Sequence, residues 1–297
     1  MSHMKANLLM LIATFIWGTA FVSQTTGMGA IGPFTFSFSR FFLATLTVLP
    51  FMLVYERKNF SIFLNNKNYI YLSLFAGVAL FGGMGLQQYA LLKSQVANTA
   101  FLSTLYVPIV SLISRFIFRS NLHWVVWIAV LLCLYGSYLL SSNQELHIQK
   151  SDNLLFLAAF CFAIHIIIID IFMKKFYSPF TFGFIQYFIV FIISMLFAFS
   201  QETPKLANIK IEWFEIIYTG VFSAGIGYTL QIIAQSKASP APAAIILSME
   251  SVFGTLAAWI LINQVLDLNK ILGCIAIFIG VIIVQLIQIN TNRKKYE

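Results

Sequence analysis

Four ionisable side chains stand where water is scarce. Arg40, His165, Asp170 and Glu250 each fall inside a long run of apolar residues. At a bilayer centre a charged group costs about 2.5–3.5 kcal/mol on the insertion scale, so groups kept there mark solute or proton pathways, or internal pairs. Glu250 lies near the middle of its run and offers two chemistries. It either binds and releases a proton, or stays ionised against a fixed partner such as Arg40. Arg40 stands about two helical turns inside its own run, placed to snorkel or pair, or to anchor a solute carboxylate. His165, between Ile164 and Ile166, reads first as an imidazole bonded to a neighbouring helix. Its other role is cavity lining, where it binds solute or carries a proton. Asp170 precedes Lys174 by four residues, the spacing of a helical ion pair. No second His or Cys stands at metal-ligand spacing, so no metal site is expected. Cys133, Cys161 and Cys274 lie singly in apolar runs and suggest neither a disulfide framework nor a CxxC site.

Uncharged polar groups extend the set. Trp17, Phe21 and Gln24 fall at i, i+4 and i+7 on one helical face. Gln87, Gln88, Tyr106, Tyr228 and Gln231 lie deep in other apolar runs, where they either bond between helices or meet a solute. Together they describe an aromatic, amide-rich and lightly charged pocket. Such a pocket suits an amphipathic metabolite, an amino acid for example, better than a polyphosphate.

The elements that must position these residues follow from composition. Sixty per cent of the 297 residues are hydrophobic and 9% are charged, with a mean hydropathy of +0.87. A soluble domain carries about 25% charge, so most of this surface needs lipid as its solvent. A span needs about 20 apolar residues. Runs broken by charge, Pro or Gly give ten candidate helices, near 7–24, 33–55, 68–91, 97–117, 122–142, 153–173, 179–200, 212–234, 240–262 and 269–289. The longest polar connections are Glu56–Lys67, Ser141–Asn153 and Gln201–Glu212. Nothing remains for a soluble catalytic domain, and no cleavable signal peptide is expected.

Twelve Lys and Arg fall on one side of these spans and five on the other, with Arg40 inside a span. By the positive-inside rule both termini are cytoplasmic. The net charge of +8 is therefore read as topology-setting, with no nucleic-acid partner.

The chain is also duplicated. Pro33-Phe34-Thr35-Phe36-Ser37-Phe38 and Pro179-Phe180-Thr181-Phe182-Gly183-Phe184 agree at five of six residues across an offset of 146. Gly83-Met84-Gly85 before Gln87-Gln88 corresponds to Gly225-Ile226-Gly227 before Thr229 and Gln231. The repeats cover 5–142 and 152–289. Five spans each, an odd number, make the second copy cross in the opposite sense. Inverted repeats can present one closure alternately to either side. The expected fold is all-α and integral to the membrane, ten helices in two inverted five-helix repeats around a central cavity.

Phe15-Ile16-Trp17-Gly18-Thr19-Ala20-Phe21, Phe38-Ser39-Arg40-Phe41 and Ser248-Met249-Glu250-Ser251-Val252-Phe253 carry a resemblance. Over essentially its full length the chain resembles the EamA-type family of the drug/metabolite transporter superfamily. The resemblance implies a bacterial inner-membrane carrier of amino acids and other metabolites, with a cavity lined by spans 1, 3, 4, 6, 8 and 9. It turns the Trp17 face inward and brings Trp17, Phe21, Gln24, Gln87, Gln88, Tyr106, His165, Tyr228 and Gln231 forward as substrate-binding residues. It assigns Glu250, with Arg40 and Pro108, to coupling or gating, the structural or gating role of Glu250 ranking above proton coupling. Two departures stand out. Ser251 follows Glu250 where the family usually has proline, so the ninth span lacks the proline kink that Pro108 gives the fourth. Phe162-Ala163 replaces the family's Trp-Ala.

The leading expectation is a secondary-active exporter of small metabolites working by alternating access, a monomer or weak dimer whose partners are solute, lipid bilayer and protons. No GxxxxGKS/T phosphate loop is present, so ATP does not drive it directly and no cofactor is expected. A nucleotide-sugar or phosphorylated-metabolite exchanger would need several cavity cations, and only Arg40 is available. An intramembrane enzyme would need clustered catalytic groups. A lipid flippase is the remaining alternative.

Overall fold

The computed structural model describes residues 1–92, 96–141 and 152–293. The Ser141–Asn153 connection, where the repeats were expected to meet, lies largely outside the described residues, as do Lys93, Lys150, Lys294 and Lys295 of the charge count. Among the described residues there is no strand. Nine helical stretches among the described residues are long and apolar enough to cross a bilayer. The fourth span is made of two consecutive pieces, Val96–Thr104 and Tyr106–Phe116. The others are His3–Thr26, Pro33–Tyr55, Lys67–Ala90, Trp124–Ser141, Asp152–Lys175, Pro179–Gln201, Trp213–Gln235, Pro240–Ile262 and Leu268–Arg293. Ten spans result, as expected.

Local chemistry sets the starts. Proline opens the second, seventh and ninth spans, where its missing N–H is one of the helix's unpaired donors in any case. Ser2 and Asp267 cap the first and tenth through Lys5 N and Lys270 N. Two polar connections expected as loops contain short helices instead, Arg57–Leu64 and Leu206–Ile211. Each follows a glutamate, Glu56 or Glu202, at the end of the preceding span.

Two spans are interrupted at corresponding places. In the fourth, Pro108 withholds a donor from the carbonyl of Thr104, and Leu105 takes a tight ψ of −12°. The ninth has no proline there, yet Ser248 takes a ψ of −13°. Its hydroxyl donates to the Ile245 carbonyl at 2.7 Å, competing with the helical ladder. The proline is dispensable for the interruption. The eighth span has a different irregularity, a ten-residue π-helical stretch at Tyr218–Gly227.

Packing obeys the duplication. The second span lies along the seventh and the fifth along the tenth. The first packs on the eighth and ninth, and the sixth packs in the same way on the third and fourth. The end of the second span meets the start of the seventh through Glu56, and the end of the seventh meets the start of the second through Glu202. Helices joined so at both ends run antiparallel, which is the inversion of the repeats. Glycines allow the closest crossings. A Cβ on Gly136 would stand 2.6 Å from the Gly273 carbonyl oxygen, and one on Gly220 would stand 2.8 Å from that of Arg40.

Polarity is arranged for lipid. Phe15, Leu131, Phe199 and Ile260 are exposed, while Gln24, Arg40, Gln88, His165, Gln186 and Gln231 are buried. Apolar side chains cover the outside, and buried amides lie among an apolar interior, a surface suited to lipid rather than water. The chain is a multi-pass membrane protein.

Candidate functional site

A cavity of about 50 Å³ lies between the repeats, enough for roughly three to five waters. The first span supplies Trp17, Phe21 and Gln24. Gln87 comes from the third, Tyr106 from the fourth, His165 from the sixth, Tyr228 and Gln231 from the eighth, and Glu250 from the ninth. Nine of the twelve residues singled out from sequence thus share one cavity. It is enclosed by the first, third, fourth, sixth, eighth and ninth spans.

The aromatic part is built around Tyr228. Its ring centroid is 4.7 Å from that of Trp17 and 6.0 Å, edge-on, from that of His165. Trp17 is fixed at its far edge, where Nε1 donates to the Ser223 carbonyl at 3.0 Å. That carbonyl belongs to the π-helical stretch, whose altered ladder leaves carbonyls for side-chain donors. Gly227 makes the approach feasible, since a Cβ there would stand 2.6 Å from Trp17 Nε1.

The amides are held from behind. Gln87 Nε2 donates to Ser103 Oγ at 2.8 Å, and Gln231 Nε2 to Gln235 Oε1 at 2.9 Å. Gln235 Nε2 in turn donates to the Ile166 carbonyl at 3.1 Å. His165 Nε2 donates to Gln186 Oε1 at 2.8 Å, so the imidazole both bonds to the neighbouring helix and faces the cavity. Three polar ends face the cavity. Gln231 Oε1 is buried without a hydrogen-bond partner, and the Tyr106 hydroxyl is set against the Glu250 carboxyl. Glu250 is only half-buried although it lies deep in the bundle, so its carboxyl is reached from the cavity. Tyr106 and Glu250 lie within electrostatic reach of each other.

Arg40 does not line the cavity, nor does it snorkel or pair with Glu250. It is 1% exposed and donates from Nη1 to Gln24 Oε1 at 2.9 Å. Its guanidinium carbon lies 5.1 Å from the Phe41 ring centroid and 5.6 Å from that of Phe36. Nε and Nη2 have no partner. Its charge reaches the cavity through Gln24. Gln88 also stands one layer back and donates to the Gln24 carbonyl at 3.2 Å. Pro108 acts on the backbone of the fourth span rather than on the cavity wall. Asp170 and Lys174 form the expected i, i+4 pair at 2.8 Å.

The sequence reading passed over Met84, Phe162, Ile166, Ser223 and Leu247 as lining residues. Phe162 is the second-repeat counterpart of Trp17, and both line the cavity. The Phe162 ring covers Gly83, where a Cβ would come within 2.6 Å. Gln186 and Gln235 were also passed over, although a buried amide in an apolar span is a visible signal.

The sequence model of the EamA-like transporter family matches residues 4–142 and 149–286. The chain belongs to that family. It is an EamA-like transporter of the drug/metabolite transporter superfamily, and its two matches are the two halves of the fold. An "Uncharacterized transporter" of Archaeoglobus fulgidus is 28% identical over 285 residues, covering 96% of this chain and 87% of the relative. "Uncharacterized transporter YoaV" of Bacillus subtilis is 22% identical, covering 93% of this chain and 95% of the relative. A solved crystal structure superposes with a TM-score of 0.80 at 18% identity, covering 96% and 98% of the two chains. That likeness concerns the fold alone. The EamA assignment and the names of the relatives agree with a transporter rather than an enzyme.

Proposed function

We propose that this EamA-like transporter is a secondary-active carrier that exports small amphipathic metabolites, amino acids or related compounds, by alternating access. The observation that carries this reading is the cavity itself. It lies between inverted repeats and offers a carboxyl set against a phenol and an amide oxygen without a hydrogen-bond partner, beside an aromatic wall. A zwitterion needs opposed polar ends, and the cavity has them. Glu250 faces an ammonium, while Gln24, backed by the guanidinium of Arg40, faces a carboxylate. Trp17, Phe21 and Tyr228 take the side chain, with Gln87, Tyr106, His165 and Gln231 orienting it and Gln88 supporting Gln24. Pro108 and Ser248 place matching interruptions in the fourth and ninth spans, the two spans best suited to bend as access alternates. Glu250 has a structural or gating role in this reading, with proton coupling as its alternative. The chain sits in a bacterial inner membrane with both termini cytoplasmic, and works as a monomer or weak dimer.

A single cation one layer behind the wall is poor provision for a phosphorylated solute, which places nucleotide-sugar exchange behind this reading. The test is uptake and counterflow in proteoliposomes against an amino-acid panel, with and without a pH gradient. Saturable counterflow of at least one amino acid is expected. A monodisperse protein that exchanges phosphorylated metabolites or lipids instead, or exchanges nothing, contradicts the reading.

A further inference from the structure

We propose that Phe21 is the partition between the central cavity and a second cavity that acts as the release vestibule, so that its ring limits the size of solute that leaves. The proposal rests on the carrier reading above. Phe21 is a wall of both cavities. The second is larger, about 140 Å³, and lies beside the later half of the first span, among the first, fifth, ninth and tenth spans.

Two helix faces run without a break from one cavity into the other. On the first span Trp17, Phe21 and Thr25 follow at intervals of four. On the ninth, Leu247 and Glu250 line the central cavity, and Ser251, Gly254 and Ala258 line the second. Residues three and four apart stack on one side of a helix, so both stripes describe a single passage. Phe21 is the residue both cavities share, and Ser251 on the wall of the second is held by Thr104, Oγ to Oγ1 at 3.1 Å.

The backbones of the two helices are fixed where they cross. Gly18 rests directly on the ninth-span backbone, where a Cβ would lie 2.6 Å from Gly254 N. That crossing holds the two helices together. At Gly254 the Phe21 ring faces bare backbone, and an added Cβ there would make an ordinary 3.5 Å contact with it. The opposite end of the bundle differs. A third cavity there, of about 220 Å³, shares no lining residue with the central one. On the central cavity's own wall, Ile166 and Gln231 are tied together through Gln235. The vestibule chemistry fits an amphipathic solute, with an apolar surface, hydroxyls from Thr25 and Thr255, and Lys270 near its rim.

The experiment uses the full chain in detergent with Cys133, Cys161 and Cys274 replaced by Ala. Single reporter cysteines are placed by Leu247→Cys in the central cavity and Thr255→Cys in the vestibule, and their reaction rates with a charged methanethiosulfonate are measured. With Phe21 present, the cysteine at 255 should react at least tenfold faster than that at 247. Phe21→Ala should raise the rate at 247 about tenfold or more and leave that at 255 unchanged. Phe21→Leu should fall between, and serves if the alanine variant is not monodisperse. An unchanged rate at 247 with normal reaction at 255 overturns the proposal, as does equal reactivity of both sites with Phe21 intact. No solute enters this assay, so it succeeds or fails independently of the amino-acid counterflow panel.

Discussion

Glu56 and Glu202 stand 146 residues apart, the offset of the repeats, and each closes the N-terminus of the helix that lies antiparallel to its own. Glu202 accepts from Phe34 N at 2.9 Å and from Thr35 N at 2.8 Å. Glu56 accepts from Phe180 N at 3.2 Å and Thr181 N at 2.7 Å, with the Ser178 hydroxyl adding a bond of 2.5 Å. A carboxylate at a helix N-terminus meets unpaired donors and the positive end of the helix dipole together. The second and seventh spans are therefore clasped at both ends, and the repeats are joined along that pair.

Removing either clasp should loosen the fold without touching the cavity. Glu56→Ala and Glu202→Ala are each expected to cost about 1–3 kcal/mol, the range for a lost cap and for charge-assisted bonds. Gln at either position should recover part of this. A 23-residue helix separates the two clasps by about 35 Å, so the double variant should show the sum. The midpoint of heat-induced loss of monodispersity in detergent, read for the singles and the double, checks both magnitude and additivity.

The glycines should divide sharply. A Cβ at Gly18 meets the Gly254 nitrogen at 2.6 Å and the Phe253 carbonyl carbon at 2.8 Å, backbone atoms that cannot swing aside. Gly18→Ala should lose about 1–3 kcal/mol, the usual cost of overpacking. At Gly85 the nearest atom is the Phe81 ring at 3.3 Å. Gly85→Ala should be neutral or better, since alanine favours the helix by up to about 1 kcal/mol. The monodisperse yield of each variant decides this.

Trp17→Phe keeps a ring against Tyr228 and removes the N–H that meets the Ser223 carbonyl. The expected loss is about 1 kcal/mol of stability, with a raised counterflow KM because the wall opposite Tyr228 is no longer fixed. KM and melting midpoint, measured on the same preparation, test the two effects.

Glu250→Gln separates coupling from architecture. If the carboxyl carries the proton, flux driven by a pH gradient should vanish while counterflow persists. If the side chain instead holds the ninth span in place, both activities should fall together with the monodisperse yield.

Much of the fold was legible because its signals are local. Proline at the first turn of two spans, with five of six residues repeated, exposed the duplication. An odd span count then implied inversion. Spacing put Trp17, Phe21 and Gln24 on one helical face, and the family resemblance turned that face inward. What escaped depends on partners distant in the chain. Glu56 looks like one more loop charge until Thr181, 125 residues later, is brought beside it. The interruption at Ser248 comes from a hydroxyl bonding backward within its helix, which no proline announces. Arg40 invites an acidic partner, and nothing in its neighbourhood of sequence indicates that Gln24 and two phenylalanine rings take that place. The second cavity is lined by Gly254 and Phe21 from different helices, a relation that neither local sequence contains.

The most direct test of the carrier account is protection of the cavity by its own solute. With Gln87→Cys in the cysteine-free background, the thiol should be shielded from a methanethiosulfonate by the amino acid that exchanges in counterflow. Half-protection should fall near the counterflow KM, and a non-exchanged amino acid should give none. Counterflow that proceeds while a saturating solute leaves the thiol fully reactive would contradict the account, because the solute would then be travelling elsewhere.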